Sequence, residues 1–185
     1  MTDYLQPEFY RFNEDSLKLV EHVVASGIQP RNLLDIGAGC GVIGIELARK
    51  LKTSEAHFLE LQIEWSPVLD KNISLFLSSV QTQVFWGSLG SWVPEVSYDL
   101  IVSNPPYFLP GNGVLSPDPV RAKCRSFVTD GWRVLGEKAR RALAPGGKAF
   151  FVTLPGNLEH IRREWAGLPF ELSREGELLI LKIPA

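Results

Sequence analysis

Residues 33–48, LLDIGAGCGVIGIELA, join a short apolar run to a helix-like pattern through a glycine-rich turn. The run before the turn is apolar and continuous, which is typical of a strand buried on both faces. The residues after the turn, VIGIELARKL (42–51), have the apolar spacing of an amphipathic helix. A buried strand that enters a helix through such a turn predicts the first half of a βαβ unit.

The same alternation continues along the chain. Apolar runs predict strands at 32–37, 56–61, 82–87, 98–104 and 148–154. Amphipathic spacing predicts helices at 13–26, 42–51, 64–77, 132–143 and 157–168. Residues 144–150, APGGKAF, predict a helix end that leads into a strand, and FELSREGELLILKI (170–183) predicts a hairpin. We therefore expect a parallel sheet with helices on both faces and an antiparallel element at its end.

Composition excludes several classes of protein. The 185 residues are 45% apolar and 22% charged, which is typical of one globular domain, with residues 1–30 as a helical lead-in. No apolar run approaches the roughly 20 residues that span a bilayer, and the first residues lack the pattern of a secretory signal. Two cysteines and three scattered histidines predict neither a disulfide framework nor a metal site. We expect a cytoplasmic protein without metal, either a monomer or a homodimer.

The net charge of −2 conceals a basic block. Residues 121–148 carry eight Lys or Arg against two Asp or Glu, whereas residues 1–120 carry seven against fourteen. At its start, Arg121, Lys123 and Arg125 alternate with other residues. Such a block either contacts a polyanion such as RNA or is a solvated surface, and the sequence leaves both interpretations open.

The glycine turn fits two kinds of cofactor. Glycines there bring backbone N–H groups and the positive end of a helix dipole close to a ligand. The spacing G-x-G-x-x-G over 39–44, followed by Glu60, matches the dinucleotide fingerprint. The spacing D-x-G-x-G-x-G over 35–41 matches instead the loop of S-adenosylmethionine enzymes, in which the acid of Asp35 suits an ammonium tail. Both interpretations place Glu60 on ribose hydroxyls.

The stretch IVSNPPYF (101–108) distinguishes these two interpretations. An aromatic amine or a carboxamide nitrogen is a poor nucleophile because its lone pair is delocalised. The side-chain oxygen of Asn104 and the carbonyl of Pro105 can accept its N–H groups, and Pro106 keeps Pro105 extended. Tyr107 can stack on a planar group. A hydride-transfer enzyme has no evident use for this arrangement, whereas an amino-group methyltransferase does.

Four segments resemble the class I S-adenosylmethionine-dependent methyltransferases that carry an Asn-Pro-Pro-Tyr motif. They are LLDIGAGCGVIGIELA (33–48), FLELQ (58–62), YDLIVSNPPYF (98–108) and LAPGGKAFF (143–151). The resemblance implies a Rossmann-like α/β fold with a seven-stranded mixed sheet and a C-terminal antiparallel hairpin. It implies that Asn104, Pro105, Pro106 and Tyr107 hold the target amine. It also implies that S-adenosylmethionine is held by Asp35, Gly37, Ala38, Gly39, Gly41, Glu60, Leu61, Ser88, Leu89 and Asn104.

Within this branch the chain looks most like the methyltransferases of adenine N6 in tRNA. That resemblance rests on YRFNEDSLKLVEHV (10–23), on residues 58–75 and on the basic SPDPVRAKCRSF (116–127). Such enzymes usually have an acidic residue after the third strand for the adenine amine of the cofactor, where this chain has Ser88. The basic block favours RNA as the substrate.

Three other functions remain open from the sequence. The segment TDGWRVLGEKARRALAPGG (129–147) is similar to the release-factor glutamine methyltransferases. Their carboxamide substrate also offers a nitrogen that is a poor nucleophile because its lone pair is delocalised. A catalytically silent adaptor that binds RNA would keep the fold but lose the cofactor. A dinucleotide-dependent oxidoreductase would use the glycine turn alone.

Overall fold

The computed structural model describes residues 3–9, 11–107 and 130–185, and these contain a seven-stranded mixed sheet. Its strands are β1 (Asn32–Ile36), β2 (Glu55–Glu60), β3 (Gln81–Trp86), β4 (Tyr98–Ser103), β5 (Leu143–Thr153), β6 (Glu171–Glu175) and β7 (Leu178–Pro184). Their order in the sheet is β3-β2-β1-β4-β5-β7-β6. The first five strands are parallel, and β7 runs antiparallel to both β5 and β6. The predicted fold class is therefore confirmed, including the terminal hairpin.

Helices cover both faces of this sheet. They are α1 (Glu14–Ala25), α2 (Val42–Leu51), α3 (Ser66–Phe76), α4 (Trp132–Ala142) and α5 (Leu158–Glu164), with short 3₁₀ turns at Ile63–Trp65 and Pro155–Asn157. The first three helices share one hydrophobic core with one face of the sheet, and α4 and α5 share a second core with the other face. The two cores form because successive strand residues point to opposite sides, as Leu33 and Leu34 do in β1.

Two predicted boundaries were wrong, and each has a local cause. β5 begins at Leu143, directly after α4, so residues 144–147 are part of the strand rather than a separate helix stop. The pairing of β5 with β4 shifts register there, and a Cβ on Gly147 would lie 2.7 Å from the carbonyl oxygen of Tyr98. Helix α5 ends at Glu164, four residues earlier than predicted, before the turn in which Gly167 has φ of +85°.

The strand order places a crevice at the middle of the sheet. β1 is followed along the chain by β2 on one side, whereas β4, its other neighbour, is followed by β5 on the opposite side. The loops that leave the carboxyl ends of β1 and β4 therefore diverge and leave a gap between them. In open α/β sheets this switch point is where ligands bind, and both sequence motifs lie there.

Candidate active site

A cleft opens above the carboxyl ends of the parallel strands, and most of the residues predicted to form the site line it. The predicted residues in its lining are Gly37, Ala38, Gly39, Glu60, Leu61, Leu89, Asn104, Pro105 and Pro106. Among the described residues, the predicted positions Asp35, Gly41, Ser88 and Tyr107 do not line it. The cleft is also lined by Ser16 at the start of α1 and by Asp130 just before α4, which sequence reasoning did not single out.

The glycine turn has a backbone that other residues rarely adopt. Gly37, Gly39 and Gly41 have φ of 73°, 55° and 84°, in the left-handed region that favours glycine. The N–H of Gly37 donates to the carbonyl of Leu59 at 2.8 Å, and the N–H of Gly41 donates to that of Ala38 at 2.8 Å. These two donors are thus used within the protein.

The carboxylate of Glu60 is held against the turn. It accepts the N–H of Gly39 on Oε2 at 2.8 Å and the N–H of Gln62 on Oε1 at 2.8 Å. Burial raises the pKa of Glu60, and these two N–H groups partly oppose the rise. Because a carboxylate offers about four acceptor positions, Glu60 keeps acceptor capacity towards the cleft that it lines.

Asp35 lies behind the turn instead of in the cleft. Its side chain is fully buried, and Oδ2 accepts the N–H of Gly44 in the first turn of α2 at 2.8 Å. A Cβ at position 44 would lie 3.0 Å from this oxygen and 2.6 Å from the ring of Phe58. Asp35 therefore satisfies a donor at the N-terminus of α2, and Gly44 permits that close approach.

We expect Asp35 to make stability depend on pH. Burial raises its pKa from 3.8 to about 7; the N–H of Gly44 opposes this rise, and the charge of Glu60 adds to it. Since the folded-state pKa lies above the unfolded value, the stabilisation is complete below about pH 4 and is lost as the pH rises to about 7. Urea denaturation should therefore show a smaller loss of unfolding free energy across this range for Asp35→Asn than for the unsubstituted protein. Equal losses would contradict this.

Helix α1 holds the side chain of Asn104. The Nδ2 of Asn104 donates to the Oγ of Ser16, a buried hydroxyl, at 3.1 Å. The preceding residue is also fixed, since the hydroxyl of Ser103 donates to the carbonyl of Ile36 at 2.7 Å. With the amide nitrogen bound to α1, the amide oxygen of Asn104 is the group left to accept a hydrogen bond in the cleft.

Tyr107 is anchored from two sides. Its hydroxyl donates to Oδ2 of Asp15 at 2.8 Å, and its carbonyl accepts from Nδ2 of Asn157 at 2.9 Å. The same nitrogen of Asn157 lies 3.2 Å from the hydroxyl of Thr153, the last residue of β5. The Asn-Pro-Pro-Tyr stretch is therefore bound to α1 at both ends, and its Tyr107 end is also bound to the 3₁₀ turn that follows β5.

Ser88 does not line the cleft. Its hydroxyl donates to that of Ser91 at 3.0 Å and accepts the N–H of Ser91 at 3.2 Å. The hydroxyl therefore closes a local turn, and Gly87 and Leu89 line the cleft on either side of it.

Part of the predicted substrate side lies outside the described residues. The basic segment 116–127, which includes Arg121, Lys123 and Arg125, belongs to that part. Within the described ranges, no helix is long and apolar enough to cross a bilayer. The same ranges contain no group of three or more His, Cys, Asp or Glu residues arranged to hold a metal ion.

Residues 11–158 match the family model of the methyltransferase small domain. The tRNA1(Val) (adenine(37)-N6)-methyltransferase of Pedobacter heparinus is 30% identical over 142 residues, which cover 77% of this chain and 59% of that protein. The release factor glutamine methyltransferase of Bacteroides thetaiotaomicron is 31% identical over 150 residues, which cover 74% of this chain and 52% of that protein. The chain thus spans little more than half the length of these curated relatives.

The fold is also that of solved methyltransferases. The 16S rRNA N2 G1207 methyltransferase of T. thermophilus, solved with AdoMet and guanosine, superposes with a TM-score of 0.66 at 22% identity, over 94% of this chain and 43% of that one. At this identity the superposition supports the fold, while the family model matches most of the chain directly. The chain therefore belongs to the methyltransferase small domain family.

Proposed function

We propose that this chain transfers a methyl group from S-adenosylmethionine to an exocyclic amino nitrogen, that of adenine in tRNA or another RNA. The observation that carries the proposal is that Glu60, beside the glycine turn, and Asn104, with its oxygen available, line one cleft. The same cleft can then hold a ribose-bearing cofactor and the amine that receives the methyl group.

The chemistry of the turn favours this cofactor over a dinucleotide. A pyrophosphate binds to free N–H groups at a helix N-terminus, but here the N–H groups of Gly39 and Gly44 already donate to carboxylates. An anion placed there would meet the negative charge of Glu60 and, when ionised, that of Asp35. A ligand with an ammonium group, a sulfonium and a ribose diol suits the same surroundings.

The cleft residues then have distinct roles. Glu60 accepts hydrogen bonds from the ribose hydroxyls, while Gly37, Ala38 and Gly39 let the ligand approach the backbone. The bound cofactor supplies the electrophilic methyl group on its sulfonium. The oxygen of Asn104 accepts one N–H of the target amine, which orients the nitrogen and stabilises the positive charge that develops on it.

The remaining parts of the motif serve the same amine. The carbonyl of Pro105 accepts the second N–H of the amine, and Pro106 keeps that carbonyl in place through its fixed φ. Tyr107 is not part of the cleft lining, but it follows the lining residue Pro106 and is held by Asp15 and Asn157; its ring stacks on the plane of a base that enters the cleft beside Pro106.

Two observations support RNA as the substrate. The matched relative from Pedobacter heparinus acts on adenine in a tRNA according to its name, and residues 121–148 form the most basic part of the chain. Phosphate contacts from this block would make RNA binding strongly dependent on salt. A protein glutamine is the second candidate, because the relative from Bacteroides thetaiotaomicron is named for that reaction and matches a similar share of the chain.

The test is incubation with methyl-labelled S-adenosylmethionine and separate pools of RNA and protein from a cell extract. We expect label in the RNA pool, recovered as N6-methyladenine after digestion. Label in the protein pool alone would show that the substrate is a protein, as the second candidate requires, and not RNA. No label in either pool, with no thermal stabilisation by S-adenosylhomocysteine, would overturn the proposed activity.

A further inference from the structure

A second carboxylate, that of Asp130, lines the cleft next to the loop that follows β3. Asp130 comes just before α4, and it lines the cleft together with Gly87 and Leu89 of that loop and with Leu135 of α4. Glu60 is the other acidic residue in the described lining. The two acids thus belong to different elements of the fold.

The loop after β3 is shaped around Asp130. A Cβ added to Gly90 would lie 2.6 Å from Oδ1 of Asp130, closer than a real Cβ approaches such an atom. The absence of a side chain at position 90 therefore leaves the space that the carboxylate occupies. The φ of Gly90 lies outside the left-handed region, so the backbone there can accept an alanine. The effect of such a substitution would therefore come from the contact of its Cβ with the Asp130 carboxylate.

The region near Asp130 lies where the base of a bound nucleoside must extend. Glu60 and Trp86 pair across β2 and β3, and the N–H of Gly87 donates to the carbonyl of Glu60 at 2.9 Å. A base attached to a ribose on Glu60 therefore comes next to the loop that starts at Gly87. Leu89 and Leu135 give that region apolar walls, which suit the faces of a purine but not its amine.

We propose that Asp130 accepts a hydrogen bond from the exocyclic amine of the cofactor's adenine and so selects adenine over other purines. This rests on the proposed function, because it takes S-adenosylmethionine to be the ligand of the cleft. An amine donor enclosed by apolar walls needs an acceptor, and a carboxylate makes the strongest such hydrogen bond. The hydroxyl of Ser88, which is turned towards Ser91, is not the group that fulfils this role.

The test compares two ligands by calorimetry: S-adenosylhomocysteine and its analogue with the 6-amino group replaced by hydrogen. We expect the unsubstituted protein to bind the amino compound at least about tenfold more tightly, the factor for one hydrogen bond to a charged group. Asp130→Ala should bind the amino compound about tenfold more weakly and the deamino compound with nearly unchanged affinity. The selectivity between the two ligands therefore disappears.

A second variant, Gly90→Ala, allows the same inference to be tested if Asp130→Ala does not fold. Gly90→Ala keeps every charge and displaces the Asp130 carboxylate, which is the far end of its side chain, so it should reduce the same selectivity. Asp70→Asn is the matched control: this exposed aspartate on α3 accepts a hydrogen bond from the hydroxyl of Ser66, and the variant should be as selective as the unsubstituted protein.

The outcomes separate this inference from the proposed function. If the unsubstituted protein binds neither ligand, the proposed function and the role of Asp130 are both overturned. If it binds the amino compound but Asp130→Ala keeps full selectivity, or weakens both ligands by the same factor, only the role of Asp130 is overturned.

Discussion

Asn104→Ala is expected to lower the rate of methyl transfer at saturating cofactor by about 10²- to 10³-fold, the usual cost of removing one preorganised hydrogen-bonding group from a reaction centre. The oxygen of Asn104 accepts from the amine more strongly as positive charge develops on the nitrogen, so its loss affects the transition state more than the bound cofactor. The affinity for S-adenosylhomocysteine should change by less than about threefold. Single-turnover assays and calorimetry measure the two quantities.

Two further variants show whether Asn104 acts through this oxygen. Ser16→Ala removes the partner of Nδ2 and should slow transfer about tenfold by freeing the amide to rotate, which is the cost of one lost hydrogen bond; Ser16→Thr should restore the rate. Asn32→Ala is the control, because Asn32 bonds to Ser97 and Asp99 at the amino end of β1. Equal losses of cofactor affinity and rate in Asn104→Ala would contradict the assigned role.

The alternation of strands and helices was predictable from the sequence because the apolar runs and the turn residues indicate the same elements. The glycines after the first apolar run predict the turn into a helix, the apolar run at 98–104 predicts β4, and the two runs around the Glu-Gly turn predict the C-terminal hairpin. The start of β5 was not predictable, since residues 144–147 have the composition of a helix stop and only the pairing of β5 with β4 makes them strand. Local composition cannot report a register shift that depends on a neighbouring strand.

Part of the site was predictable for the same reason, and the rest depends on tertiary contacts. Glu60 ends β2 and Asn104 follows β4, so both had to lie at the carboxyl edge. Asp35 also ends near that edge, but the close approach of Gly44 turns its carboxylate towards α2. Ser16 and Asp130 reach the cleft from segments distant in sequence, and no local spacing predicts those contacts.

Glu60→Ala is expected to weaken the binding of S-adenosylhomocysteine by about 10- to 100-fold, because hydrogen bonds from the ribose hydroxyls to a charged acceptor are lost. The variant should also lower the melting temperature, since the N–H groups of Gly39 and Gln62 lose their acceptor. These two effects have different origins and need to be measured apart.

An analogue that lacks both ribose hydroxyls separates the two effects. If Glu60 binds the diol, the unsubstituted protein should prefer the ribose compound by at least about tenfold, and Glu60→Gln, which keeps the shape of the side chain, should lose most of that preference. Glu64→Gln, an exposed neighbour in the 3₁₀ turn, should keep it. If Glu60→Gln discriminated between the two ligands as well as the unsubstituted protein does, Glu60 would serve only to hold the glycine turn, and the cleft would have to bind the ribose through other groups.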